Sequence, residues 1–145
     1  MKPRAAWPFL AKKAKEKCDQ AMAALVKGRE RIKSIEQSRM KMQALYADYL
    51  ARSFEAEKNS LSMHETVNFR GFLQQIQTLI KRVDVDLEHA KFELDVLKGN
   101  LVAAEKKRIQ METLHEQDLR RIQEAAAKRE QREMDAAGVM MFNLK

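Results

Sequence analysis

The chain has 145 residues, a formal net charge of +7, 34% charged residues and only 6% aromatic ones. That length suits one domain. A mix rich in Ala, Glu, Lys, Leu, Arg and Gln, with four Gly and two Pro, gives no sheet signal and points to long helices. The single cysteine, Cys18, excludes an internal disulfide. It has no Cys/His cluster beside it, which fits a reducing cytoplasm and a packing role on an apolar helix face.

In chain order, Lys2 and Arg4 come first. No apolar run follows them, so neither a secretory signal nor a bilayer span is expected. Pro8 suits the first turn of a helix, where its missing N–H is not needed. The spacing predicts a helix over residues 8–58, roughly 75 Å long. Its apolar line runs Leu10, Ala14, Cys18, Ala21, Leu25, Ile32, Ile35, Met42, Tyr46, Tyr49 and Ala56, with interruptions at Gly28, Arg39 and Ser53. Residues 1–58 hold 14 Lys/Arg against 7 Asp/Glu, and residues 59–145 hold 14 against 14. The basic excess therefore lies in the first segment, densest at Lys12, Lys13, Lys15 and Lys17. Such a cluster is either a solvated face that keeps the protein soluble or an electrostatic handle for an acidic partner, a nucleic acid or a membrane surface.

Asn59-Ser60-Leu61-Ser62-Met63-His64 is the best break, because Asn and Ser compete with helical hydrogen bonding. Ser62 and Glu65 have capping-box spacing. A second helix is expected over residues 63–137, roughly 110 Å. Its apolar line alternates steps of four and three: Phe69, Leu73, Ile76, Ile80, Val83, Leu87, Ala90, Leu94, Leu97, Leu101 and Ala104. A period near 3.5 makes a narrow stripe that one partner helix covers. Further on the same step meets Arg108, Met111, His115, Asp118, Ile122 and Ala125, so looser pairing is expected there. Gly71 and Gly99 lie off the stripe and read as weak points, not ends. Gly138 reads as a C-terminal cap, leaving a short apolar tail, Val139-Met140-Met141-Phe142, that is frayed or docks on a partner. The nine Met residues read as gap-fillers along the seam or as an adaptable binding surface.

Two long helices and a short break suit an all-α fold: one antiparallel coiled-coil hairpin spanning residues 1–145. Leu25 then lies near Leu101 and Cys18 near Arg108, with both termini at one end and the second helix overhanging. The rival is one continuous helix paired with a second copy.

Little in the sequence carries chemistry. There is no P-loop or G-x-G-x-x-G, and His64, His89 and His115 are scattered without the spacing of a metal site. No enzyme activity, metal or cofactor is expected. One line departs from a simple seam: Phe72, Ile76, Leu79 and Val83, at steps of four, three and four. Phe72 and Leu79 flank the stripe and stay partly exposed. Together with Phe69 and Leu73 the line either packs on the connecting loop or presents anchors to a partner's groove.

The run Leu45-Tyr46-Ala47-Asp48-Tyr49-Leu50, the break, and Asn68-Phe69-Arg70-Gly71-Phe72-Leu73-Gln74-Gln75-Ile76 resemble the FliJ family of the bacterial flagellar type III export apparatus. So does Arg129-Glu130-Gln131-Arg132-Glu133-Met134-Asp135. Phe69 stands where the family commonly has Tyr, and the Met-rich tail after Gly138 is not among the features that carry the resemblance. The resemblance implies a cytoplasmic coiled coil, similar to the gamma-subunit stalk of rotary ATPases and held at the inner membrane through the apparatus. It implies insertion into the central hole of the hexameric export ATPase, promotion of ring assembly and hydrolysis, contact with the cytoplasmic domain of the export gate protein, and escort of export chaperones, in support of motility and chemotaxis. By position, gate contact falls on Phe72, Ile76, Leu79 and Val83; a polar residue can stand at the place of Val83. A basic end attracts an acidic channel over about 8–10 Å, so Lys12, Lys13 and Lys15 are expected to help bind the ATPase.

Two other readings stay open, and two more are disfavoured. One is the equivalent central stalk of a virulence secretion system, and another is a structural coiled-coil adaptor with no ATPase partner. A nucleic-acid binder is disfavoured, because few aromatics accompany the basic residues and no recognition motif is present. Membrane-surface binding is disfavoured as well, since the charges of the first helix are spread around it.

Overall fold

A computed structural model of the chain describes residues 6–59 and 63–144. It contains two helices, α1 (Ala6–Lys58) and α2 (Met63–Leu144), packed against each other as a helical hairpin. The described residues include no strand. Asn59 closes α1 by donating its backbone N–H to the Glu55 carbonyl at 3.2 Å. Glu65 places a carboxylate in the first turn of α2, where the positive end of the helix dipole favours it. Ser60, Leu61 and Ser62, and with them the expected capping box, lie outside the described residues.

The period-3.5 stripe of α2 is the packed face. Every member from Phe69 to Ala104 is buried or half-buried, and residues between them are mostly exposed. The buried core is small: Ala14, Leu25, Ile76, Leu87, Ala90, Leu101 and Met111. A seam covered by one helix excludes less water than a multi-helix core, so modest stability follows.

Two compact units divide the hairpin. One joins Met1–Met22 to Asn100–Lys145, and the other is Ala23–Gly99. In the second unit, Arg31 pairs with Glu93 and Arg39 with Asp84. Gln77 Nε2 donates to Tyr46 Oη at 3.0 Å. As the α1 number rises the α2 number falls, so the helices run antiparallel. Both ion pairs are solvent-exposed, each worth about 0.2–1 kcal/mol; they help fix register more than they add stability. Gly28 is a fitted member of the seam and not an interruption. A Cβ there would sit 3.0 Å from Leu97 Cδ1 and 3.2 Å from Leu94 Cδ1. Gly28→Ile should therefore wedge the helices apart and cost about 1–3 kcal/mol, read from urea unfolding.

In the first unit, Arg108 donates to both carboxylate oxygens of Glu112 at 3.2 and 3.0 Å. Hydrogen bonds to Glu112, and then to the Cys18 sulfur, hold its pKa above the ordinary arginine value. The Arg108–Cys18 contact is the antiparallel neighbour expected from the seams. The stripe continues past Ala104 with half-buried Arg108, buried Met111, then half-buried His115, Asp118, Ile122 and Ala125. Beyond it, residues 126–144 are all exposed, which is the expected overhang.

Two expected boundaries need correction. α1 begins at Ala6, two residues before Pro8, because a proline still fits the first turn. Trp7 thereby joins the packed face and lines a small pocket with Leu114, Gln117, Asp118 and Arg121, whereas Leu10 is exposed. Gly138 does not stop α2 at Ala137: the helix runs to Leu144, and Gly138 has no left-handed backbone angle. Ala136, Ala137, Met140 and Met141 are good helix formers and outweigh one glycine's cost of about 1 kcal/mol. The tail is thus helical, with Val139, Met140, Met141, Phe142 and Leu144 exposed.

Gly71 and Gly99 have open space where a Cβ would stand. Gly71→Ala and Gly99→Ala should each stabilise the helix by about 0.5–1 kcal/mol, seen as a higher denaturation midpoint.

Candidate functional site

The apolar line of α2 divides by exposure. Ile76 is 3% exposed and belongs to the seam, while Phe72 and Leu79 are 41% and 44% exposed. Val83 is half-buried. Phe72 and Leu79 are seven residues apart, which places both on one flank of the stripe. The surface available to a partner is therefore Phe72 and Leu79; Ile76 acts from beneath by holding the two helices together.

The α1 side of this patch was not legible as a site. Tyr49, read as a seam residue, is half-buried. Its ring centroid lies 4.5 Å from that of Phe72 at 35° and 6.5 Å from that of Phe69 at 59°. The Arg52 guanidinium stands 5.7 Å above the Tyr49 ring. Tyr49, Glu65, Asn68, Phe69 and Phe72 line a shallow groove. A seam tyrosine must carry its hydroxyl out to a polar edge, and that signal could have flagged the position. Leu45, one residue before Tyr46, is also exposed and extends the apolar surface on α1. The arrangement is a shallow aromatic and aliphatic patch, suited to docking and not to enclosing a small ligand.

Lys12, Lys13 and Lys15 lie in the other unit, exposed on the first turns of α1. Lys13 Nζ sits 5.6 Å from the Phe9 ring centroid, so one ammonium and one exposed ring form a joint surface. The structure thus brings Phe72 and Leu79 together at one place and the three lysines at another. Among the described residues no group of three or more His, Cys, Asp or Glu is placed to hold a metal ion.

The sequence profile of the flagellar FliJ protein family matches residues 9–145. That match takes in almost the whole chain, including both surfaces just described.

The chain belongs to the FliJ family.

FliJ proteins are non-catalytic coiled coils, and membership implies a stalk-type component of flagellar type III export. The helical hairpin is the architecture expected of such a protein. Comparison with curated proteins and with solved structures returned no match. No helix of the described residues is long and apolar enough to cross a membrane.

Proposed function

We propose that this FliJ-family chain is the central stalk of a flagellar type III export ATPase, acting as one coiled-coil domain in the cytoplasm. The observation that carries the reading is the family match over residues 9–145 joined to a hairpin. Its basic α1 segment enters the central hole of the hexameric ATPase, with Lys12, Lys13 and Lys15 meeting acidic channel walls. Stalk insertion favours the closed ring and its hydrolysis. Phe72 and Leu79, backed by Ile76 and Val83, dock on the cytoplasmic domain of the export gate protein and so hold the complex at the inner membrane. Export chaperones are further cargo of the same stalk. The chain performs no catalysis and needs no cofactor in this role.

A paired helix suits the task because its backbone hydrogen bonds are satisfied internally and its seam fixes register, so a contact at one place has a defined orientation. Gel filtration of the purified chain with the cognate export ATPase tests the proposal. Co-elution in a high-mass fraction is expected. Separate elution, with an ATPase that oligomerises by itself, would leave the adaptor reading in its place.

A further inference from the structure

The side of α2 turned away from the seam carries its own apolar line. Val85, His89, Phe92 and Val96 recur at steps of four, three and four, and Val85, Phe92 and Val96 are exposed, Phe92 by 70%. Val85, His89 and Phe92 line a shallow groove with Asp84 and Glu88. Exposed apolar residues at helical spacing, opposite a seam already covered, have no structural partner in the hairpin.

From Asp84 on, the charges around this line are mainly acidic, while Lys81 and Arg82 stand one turn before Val85. Residues 84–96 hold Asp84, Asp86, Glu88, Glu93 and Asp95 against Lys91 alone, in a chain whose net charge is +7. Successive residues are about 100° apart on a helix. Glu88 and Asp95 therefore border the line on one side, and Asp86 and Glu93 on the other. Arg31 neutralises Glu93, and Arg39 neutralises Asp84. Among the described residues Asp86, Glu88 and Asp95 have no ion-pair partner.

We propose that Val85, His89, Phe92 and Val96 form a docking face for a basic amphipathic helix of a partner protein. The apolar line receives the partner's apolar stripe, and the carboxylates on both sides receive its flanking Lys and Arg. The acidic border repels nucleic acid and anionic lipid. The face is separate from Phe72 and Leu79 and does not depend on the stalk reading.

The test uses the full chain and a fluorescent synthetic helix of about 20 residues. The peptide carries Leu at i, i+4, i+7 and i+11, with Lys and Arg beside them. Anisotropy at physiological salt should show saturable binding. Phe92→Ser with Val96→Ser should weaken it at least ~10-fold, as should Glu88→Lys with Asp95→Lys, since each pair removes more than about 1.4 kcal/mol of contact. These positions are exposed, so helicity by circular dichroism should not change. A twin peptide with Glu for Lys and Arg should not bind. Absence of saturable binding, or equal binding by the parent chain and both variants, would overturn the proposal. So would light scattering that shows a dimer which Phe92→Ser dissociates, because the face would then belong to a second copy.

Discussion

Ile76→Ala is expected to destabilise the hairpin strongly, whereas Phe72→Ala and Leu79→Ala should cost less stability yet remove gate binding. The difference follows from burial. Ile76 is 3% exposed in a seam with few other buried residues, so truncation leaves a gap and removes one of the main contacts, costing about 2–4 kcal/mol. Phe72 and Leu79 are more than 40% exposed and lose less. For Phe72 the largest loss is its ring contact with Tyr49, about 0.5–1.5 kcal/mol. Binding should show the opposite ranking, because exposed aromatic and aliphatic anchors carry most of a helix-docking interface. Urea unfolding gives the first ranking, and calorimetry with the purified cytoplasmic domain of the gate protein gives the second. If Phe72→Ala with Leu79→Ala bound the gate domain as tightly as the parent chain, this surface would not be the gate contact.

The second large effect concerns charge. Lys12→Glu, Lys13→Glu and Lys15→Glu together should reduce ATPase binding at least ~10-fold at low salt, since repulsion replaces attraction at three rim positions. All three lysines are exposed, so folding should persist. The contact between Lys13 and the Phe9 ring accounts for a loss of only about 0.5–1 kcal/mol. Raising the salt should weaken the parent chain's binding and narrow the gap between the two. Unchanged binding by the triple variant at low salt would exclude these lysines from the interface.

Much of the fold was legible because one signal dominates the sequence. The stripe from Phe69 to Ala104 has a single period, and a narrow apolar line on a helix admits few arrangements. Its continuation through Met111 to Ala125 could be read by the same step, although Arg108, His115 and Asp118 interrupt it. Ends were less legible. Trp7 was lost because Pro8 was given the first position, and Gly138 was given the force of a stop that its alanine and methionine neighbours outweigh. Gly28 looked like a defect because spacing reports which residues share a face, not how closely two backbones approach. The patch around Phe72 was half-legible. Steps of four and three found the line on α2, but one helix cannot reveal what the other adds, so Tyr49 and Leu45 were missed. Ile76 shows the converse: a regular line need not be an exposed one. The line at Val85 and Phe92 was hidden by the stronger seam on the same helix.

The most direct test of the stalk proposal is ATP hydrolysis by the purified cognate export ATPase, titrated with this chain, with particle images of the same samples. Stimulation should saturate as closed rings accumulate, and the Lys12, Lys13 and Lys15 triple variant should stimulate less. An active ATPase whose rate and ring population stay unchanged across the titration would contradict the stalk proposal.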